Sequence, residues 1–173
     1  QSRASQLVAG VVDPRPGERV LDLCAAPGGK TTHLAALMGA EGELVAVERH
    51  PGRARALQAT CERMGATNVQ VVCADATGFD GAARFDRVLL DAPCSGLGAL
   101  RRRPDARWRI TADAVDRLAR LQRELVDAAV VLLAPGGVLV YSVCTLTAAE
   151  SLAIDDHLAT AHPTLVPLPA PGA

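Results

Sequence analysis

Aromatic side chains are scarce, at 2% of the 173 residues. The apolar mass is Ala, Val and Leu within a hydrophobic fraction of 49%, and a core of small aliphatics fits helices on a parallel sheet better than a β-sandwich. No apolar run approaches the roughly 20 residues that span a bilayer, and no signal peptide opens the chain. The first absence argues against a membrane-spanning helix in this stretch. Paired cysteine spacing is missing too: the five cysteines are odd in number and form no C-x-x-C. That argues against a disulfide framework or a zinc site, so no metal is expected, and for a reducing cytoplasm. Excess charge is the last absence. With a formal net charge of −1, any site for a polyanion must be a local patch. The length implies one domain over residues 1–173, and an opening without methionine is expected of a fragment of a longer chain.

The chain is organised around Val20-Leu-Asp-Leu-Cys-Ala-Ala-Pro-Gly-Gly-Lys-Thr-Thr-His33. Residues 20–23 read as a buried parallel strand, Pro27, Gly28 and Gly29 as a turn, and Leu34, Leu37 and Met38 as the apolar face of a helix. Glycines at a strand-to-helix turn allow close backbone approach to a ligand, and free amides at the helix start favour polar or anionic groups. That combination describes a nucleotide-like cofactor site. Gly29-Lys30-Thr31 also matches the tail of a phosphate-binding G-x-x-x-x-G-K-[ST] loop, but the first glycine of that pattern falls on Cys24. Asp22 would repel a triphosphate and suits a cationic or hydroxyl-bearing ligand.

The rest alternates strand and helix. Residues 1–12 predict an amphipathic helix with Leu7, Val8 and Val11 inward. Residues 43–48 predict a second strand ending in Glu48, 19 positions after Gly29, near the spacing at which an acid meets ribose hydroxyls; the bland alternative is a solvated strand-end charge. Residues 51–64 predict a helix with Ala54, Leu57, Cys61 and Met64 inward, stopped by Gly65. A third strand at 69–73 leads to Asp75, read either as an acceptor for an adenine amino edge or as a turn cap. A fourth strand at 85–91 ends in Asp91 and exits through Pro93, Cys94 and Gly96; Asp91 also resembles the magnesium-binding acid of an NTPase. Residues 97–109 form a loop holding Arg101, Arg102, Arg103, Arg107, Arg109 and the single tryptophan, Trp108. It is either a solvated basic loop or a surface for phosphates and a stacked base. A long helix at 113–133 carries Val115, Leu118, Leu121, Leu125 and Leu132 inward, and residues 134–137 break it. A fifth strand at 138–144 ends in Cys144. Thr147-x-x-Glu150 reads as a capping box starting a last helix with Leu152 and Leu158, and Leu165-Val166 as a possible strand.

Strands four and five both end in cysteine, and in a doubly wound sheet such ends line the cofactor crevice. A thiolate is a strong nucleophile once its pKa falls, and nearby arginines are expected to lower it. A thiol beside a methyl donor suits alkylation of pyrimidine carbon 5, which gains enamine character when sulfur adds at carbon 6. A carboxylic acid can stabilise the charge developing at ring nitrogen 3.

Asp22-Leu-Cys-Ala-Ala-Pro-Gly-Gly-Lys-Thr31, Asp91-Ala-Pro-Cys-Ser-Gly-Leu-Gly98 and Tyr141-Ser-Val-Cys-Thr145 resemble the motifs of the Sun/Fmu-type RNA (cytosine-5) methyltransferases, in the same order. The resemblance implies an α/β, Rossmann-like class I S-adenosylmethionine-dependent fold with a mostly parallel sheet and helices on both faces. It implies cofactor contacts at Cys24, Ala25, Ala26, Pro27, Gly28, Gly29, Lys30, Glu48, Asp75 and Asp91. It makes Cys144 the attacking thiol, Cys94 the residue that assists product release, and Asp91 a catalytic carboxylate. The partner it implies is RNA, ribosomal RNA first and transfer RNA second, with Arg101, Arg102, Arg103 and Trp108 as contacts on a monomeric cytoplasmic protein. Val143 replaces the family's Thr before the nucleophile, and Ala149-Glu150-Ser151 its Glu-Glu-Asn. An N-terminal RNA-binding extension and the final pair of sheet strands are expected to be missing. A ribosome-assembly scaffold without turnover and an NTPase are the competing readings.

Overall fold

The computed structural model describes residues 3–81 and 84–169. Five strands form one sheet: β1 (Arg19–Asp22), β2 (Glu43–Val47), β3 (Val69–Val72), β4 (Phe85–Asp91) and β5 (Leu133–Ser142). Their spatial order is β3-β2-β1-β4-β5, and every pair is parallel. The connections are α1 (Arg3–Val12) before the sheet, then α2 (Gly29–Met38), α3 (Pro51–Arg63), α4 (Ala106–Arg109) and α5 (Ala112–Leu132), with α6 (Leu152–Ala161) after it. The order places β1 and β4 side by side although two βα units separate them in sequence, and that reversal opens the crevice at the carboxyl ends of the strands.

Alternation along the central strands sorts the core into two layers. Val20, Leu44 and Leu89 face α1 and α2, meeting Ala9, Val12, Leu34, Ala35 and Met38. Leu21, Val45, Val88 and Leu90 face the other way, onto Leu125, Val126, Ala129 and Leu132 of α5 and Ile154 of α6. Leu57 and Cys61 of α3 cover Ala25 and Ala46. The amino ends of the strands are tied by charge: Arg19 Nε donates to Glu43 at 2.8 Å, Arg19 N to Asp86 at 2.8 Å, and Arg87 Nε to Glu18 at 3.2 Å. The opposite ends remain for the site.

The helices start and stop for visible reasons. Thr111 caps α5 by accepting from Ala114 N. Past α3, Ala66 N donates to Cys61 O and Gly65 N to Glu62 O, each at 3.0 Å, with Gly65 at φ +67°. This is a Schellman closure, and it fixes the stop that Gly65 predicts.

Several expectations are displaced. Leu37 is exposed because the buried stripe of α2 is Thr31, Leu34, Ala35 and Met38. Met64 is exposed because it is the cap residue, one step beyond the helix. Ile154, not Leu152, takes the core position of α6. The break at 134–137 is a bulge absorbed into β5: the register with β4 shifts between Phe85 and Arg87. Gly137 there lies so close to Asp86 that a Cβ would stand 2.9 Å from its carbonyl oxygen. Leu165 and Val166 form no strand. Residues 1 and 2 of the expected first helix lie outside the described residues.

Gly42 leads into β2 at φ +91°, and a Cβ there would stand 2.5 Å from Glu18 O. Gly65 shares the positive φ but has open space around it. Gly65→Ala should therefore cost only the left-handed penalty of about 1–2 kcal/mol, and Gly42→Ala should cost clearly more, because backbone must move. Urea denaturation of both variants checks the order, and equal costs would refute the packing argument.

Candidate active site

The turn after β1 is held between its neighbours. Leu23 N donates to Leu89 O and Ala25 N to Val47 O, both at 3.0 Å, so the chain stays bonded to β4 one residue beyond β1 and to β2 three residues beyond it. Gly28 then reverses it at φ +100°, where a Cβ would meet Leu57 Cδ1 at 2.8 Å, and α2 begins at Gly29. The backbone angle favours glycine here, and a Cβ would also require the Leu57 side chain to shift.

Asp22 lies under this turn, 1% exposed. Thr31 Oγ1 donates to its Oδ2 at 2.8 Å, while Oδ1 is buried without a partner. Burial, reinforced by the nearby Asp91 charge, pushes its pKa up to about 7. Asp22, Cys24, Pro27, Gly29, Lys30 and Asp91 border a cavity of about 160 Å³. Lys30 Nζ stands 2.6 Å from Asp91 Oδ2, so the lysine of the apparent phosphate loop is committed to the acid at the end of β4. Burial drives the Cys24 thiol up to about 12, which leaves it protonated and inert.

The next two strand ends carry Glu48 and Asp75. Glu48 is buried; its carboxylate accepts from His50 N at 2.8 Å and pairs with Arg53 at 3.3 Å. Asp75 is half-exposed and caps a one-turn helix at Ala76–Gly78, taking Thr77 N at 3.0 Å and Thr77 Oγ1 at 2.8 Å. Its Thr77 bonds hold its pKa below the usual carboxylate range. The cap reading of Asp75 is thus realised in the structure, with one oxygen still directed to solvent and Arg49.

The two thiols meet. Cys94 Sγ and Cys144 Sγ lie 3.4 Å apart, and Cys144 N donates to Cys94 Sγ at 3.3 Å. Register explains the convergence: Asp91 pairs with Ser142 across β4 and β5, and Ala92 N donates to Ser142 O at 2.9 Å. Each cysteine therefore follows its strand end by two or three residues on adjacent strands. Their settings differ. Cys94 is half-buried and Cys144 exposed. Burial, then the neighbouring Cys144 sulfur, pushes the Cys94 thiol up to about 12. The expectation that arginines lower the thiol pKa fails for Cys94, since desolvation dominates there.

One residue was missed by the sequence reading. Glu150, fully buried, is no capping residue. It collects Ser95 N at 2.8 Å and Gln122 Nε2 at 3.1 Å on one oxygen, and Ser95 Oγ at 2.6 Å, Thr145 Oγ1 at 2.8 Å and Thr147 Oγ1 at 2.8 Å on the other. Ser95 follows Cys94 and Thr145 follows Cys144, so one carboxylate laces the two cysteine loops together. Tyr141 Oη donates to Glu150 O at 2.9 Å. Burial alone would raise the Glu150 pKa, but the Ser95, Thr145 and Thr147 hydrogen bonds outweigh it and hold the carboxyl below its ordinary range. The available signal was the hydroxyl placed directly after each thiol.

The basic loop starts at this lacing. Gly98 N donates to Cys144 O at 3.0 Å, and a Cβ on Gly98 would stand 3.1 Å from that oxygen. Beyond it Arg101, Arg102 and Arg103 are exposed. Trp108 is 81% exposed, with the Arg107 guanidinium 4.9 Å from its ring centroid, and Arg109 pairs with Asp105. Part of the expected loop is helical, in α4.

Glu150→Gln keeps the size, removes the charge and turns an amide against donors. It should cost about 2–3 kcal/mol at pH 7. Because the folded pKa is depressed, the carboxylate's contribution is full above its unfolded pKa and fades as pH falls through the folded one. The gap between the wild-type chain and the variant should therefore close below about pH 4. Denaturant melts from pH 7 to 3 test this, and a gap constant over that range would rule out the charged lacing.

A family model for the 16S rRNA methyltransferase RsmB/F matches residues 9–171. A probable ribosomal RNA small subunit methyltransferase B from Synechocystis sp. is 46% identical over 165 residues, covering 91% of this chain and 37% of that protein. The tRNA (cytosine(72)-C(5))-methyltransferase NSUN6 of Mus musculus is 44% identical over 165 residues, covering 87% of this chain and 34% of that protein. The solved structure of NSun6 from Pyrococcus horikoshii with SFG superposes at TM-score 0.85 and 38% identity, over 91% of this chain and 41% of that one. The chain thus spans a little over a third of the length of the curated relatives it matches. The parallel five-stranded sheet, the resemblance of the three motifs and this match over nearly the whole chain agree: the chain belongs to the RsmB/F family of 16S rRNA methyltransferases.

Proposed function

We propose that residues 1–173 form a single catalytic domain of an S-adenosylmethionine-dependent RNA (cytosine-5) methyltransferase, monomeric and cytoplasmic. Its substrate is ribosomal RNA, with transfer RNA as the second candidate. The observation that carries this reading is the 3.4 Å approach of the Cys94 and Cys144 sulfurs at adjacent strand ends, beside the glycine turn. Among the described residues no helix is long and apolar enough to cross a membrane.

The residues present fit the cofactor. Asp22, whose Oδ1 is buried without a hydrogen-bond partner, lines a cavity shared with Lys30 and Asp91, and its carboxyl suits a cationic amino-acid group. The turn from Cys24 to Lys30 would hold that end of the molecule, Glu48 its ribose hydroxyls and Asp75 its adenine edge. When bound, S-adenosylmethionine supplies an electrophilic methyl group.

The chain's own residues supply the rest. Cys144, the exposed thiol, gives its proton to solvent and adds as the thiolate to carbon 6 of cytosine, and the electron pair moved toward ring nitrogen 3 makes carbon 5 nucleophilic. The proton held between Lys30 Nζ and Asp91 Oδ2, 2.6 Å apart, is offered through Asp91 to that ring nitrogen as charge develops there. After methylation the carbon-5 proton leaves to a base, the 5,6 double bond re-forms and the Cys144–carbon 6 bond breaks. Cys94 keeps its proton at neutral pH and can give a hydrogen bond to the departing sulfur. The exposed Arg101, Arg102, Arg103 and Trp108 supply phosphate contacts and a stacking face for RNA.

In the full-length protein, Cys144→Ala should lower kcat at least about 1,000-fold, measured as labelled methyl transfer to RNA. Cys94→Ala should instead accumulate a covalent RNA–protein adduct, visible on denaturing gels. Turnover retained in Cys144→Ala would assign the attack to another group. Tight RNA binding by the wild-type chain with no methyl transfer would favour a scaffold without turnover.

A further inference from the structure

A second side-chain cluster lies away from the thiols, where α6 meets α5. Asp127 of α5 accepts from two imidazoles on the same oxygen: His157 Nε2 stands 2.8 Å from Oδ1 and His162 Nε2 2.7 Å. The three donor atoms all lie within 4.8 Å of one another, and the two rings meet edge to face at 6.1 Å. Five residues of continuous helix would turn His162 about 140° away from His157 around the axis. The helix ends at Ala161 instead, and His162 leaves helical geometry at φ −128°, ψ 61°. That exit brings the second ring round to Asp127.

We propose that Asp127, His157 and His162 form a binding site for a divalent transition metal of the zinc class, with water completing the coordination. Two imidazoles and one carboxylate are a borderline-soft N₂O donor set, suited to Zn²⁺ and its neighbours rather than Mg²⁺ or Ca²⁺. Ligand atoms about 2.0–2.1 Å from a tetrahedral zinc lie roughly 3.3 Å apart. The observed N···O distances need to open by only about half an ångström to admit the ion. The site is reachable, since the histidine side chains are 24% and 19% exposed and that of Asp127 47%. The Nε2–H tautomer makes these two hydrogen bonds, and coordination through Nε2 requires the Nδ1–H tautomer in its place. The ion would pin α6 to α5 in place of two hydrogen bonds. Because α6 follows Glu150 and α5 carries Gln122, it would stiffen the frame that holds the cysteine loops. The expectation of no metal rests on cysteine spacing and does not bear on these residues.

The test is isothermal titration of chelator-treated full-length protein with zinc chloride. The expected result is one equivalent bound with a Kd near the micromolar range and a Tm raised by about 2–4 °C at saturating metal. His157→Gln and His162→Gln should each weaken binding at least about tenfold. Cobalt(II) on the wild-type protein supplies a reading that needs no variant. Weak d–d bands without a sulfur charge-transfer band support the site, whereas such a charge-transfer band would place the ion on the cysteines. That outcome, or no heat and no Tm change at 100-fold excess zinc, overturns the proposal.

Discussion

A single buried carboxylate sets the geometry of the candidate active site. Glu150 is fully buried, and an ionised acid in that setting costs several kcal/mol unless its oxygens are filled. Donors from Ser95, Gln122, Thr145 and Thr147 fill them, and charge-assisted hydrogen bonds of about 1.5–3 kcal/mol each are of the right size to offset the burial. The donors come from three separate stretches, the exit of β4, the middle of α5 and the exit of β5. A partial set would leave charge or amide unsatisfied, so the arrangement favours all of them together. The two sulfurs are carried by the same loops, and their 3.4 Å approach follows from this lacing and from the pairing of β4 with β5.

Polar groups are distributed asymmetrically along the sheet. At the amino ends of the strands, Arg19, Arg87, Glu18, Glu43 and Asp86 satisfy one another. At the carboxyl ends the tally does not close: Asp22 keeps an oxygen without a partner and a pKa pushed up to about 7 by burial. A strand could end in Leu or Val at no such cost. An orphaned acid beneath a glycine turn is tolerated where a ligand can supply the missing partner. The Lys30–Asp91 pair closes the same cavity from the side of β4.

Most of the sheet was legible because parallel strands buried on two faces read as short apolar runs, and β4 matches its expected bounds of 85–91. That Cys94 and Cys144 face one crevice was legible because both strands end in cysteine; that β4 and β5 are neighbours was not. What escaped was tertiary. Thr147-x-x-Glu150 has the local spelling of a capping box, and nothing within four residues tells that Glu150 turns inward to Ser95, 55 positions away. Leu165-Val166 has strand propensity without a neighbour to pair with, and Met64 has helical spacing one residue past the Schellman stop. Asp75 reads equally as ligand and cap, and the Thr77 amide gives it the cap without removing its second oxygen.

The same limit applies to the chemistry of sulfur. Two cysteines in similar motifs look interchangeable in sequence, yet the fold makes them unequal. Cys94 sits half-buried behind Pro93, whose carbonyl accepts from Gln122 at 2.8 Å. It receives the Cys144 amide, and desolvation keeps its proton on. Cys144 lies further out on the exposed exit of β5, open to solvent. Val143 packs into the core cluster at the step before it, so the hydroxyl lost relative to the family's Thr is removed from a position that is already apolar. One thiol keeps its proton behind a buried loop and its neighbour stands open to solvent. Burial draws that distinction, and neither motif spells it.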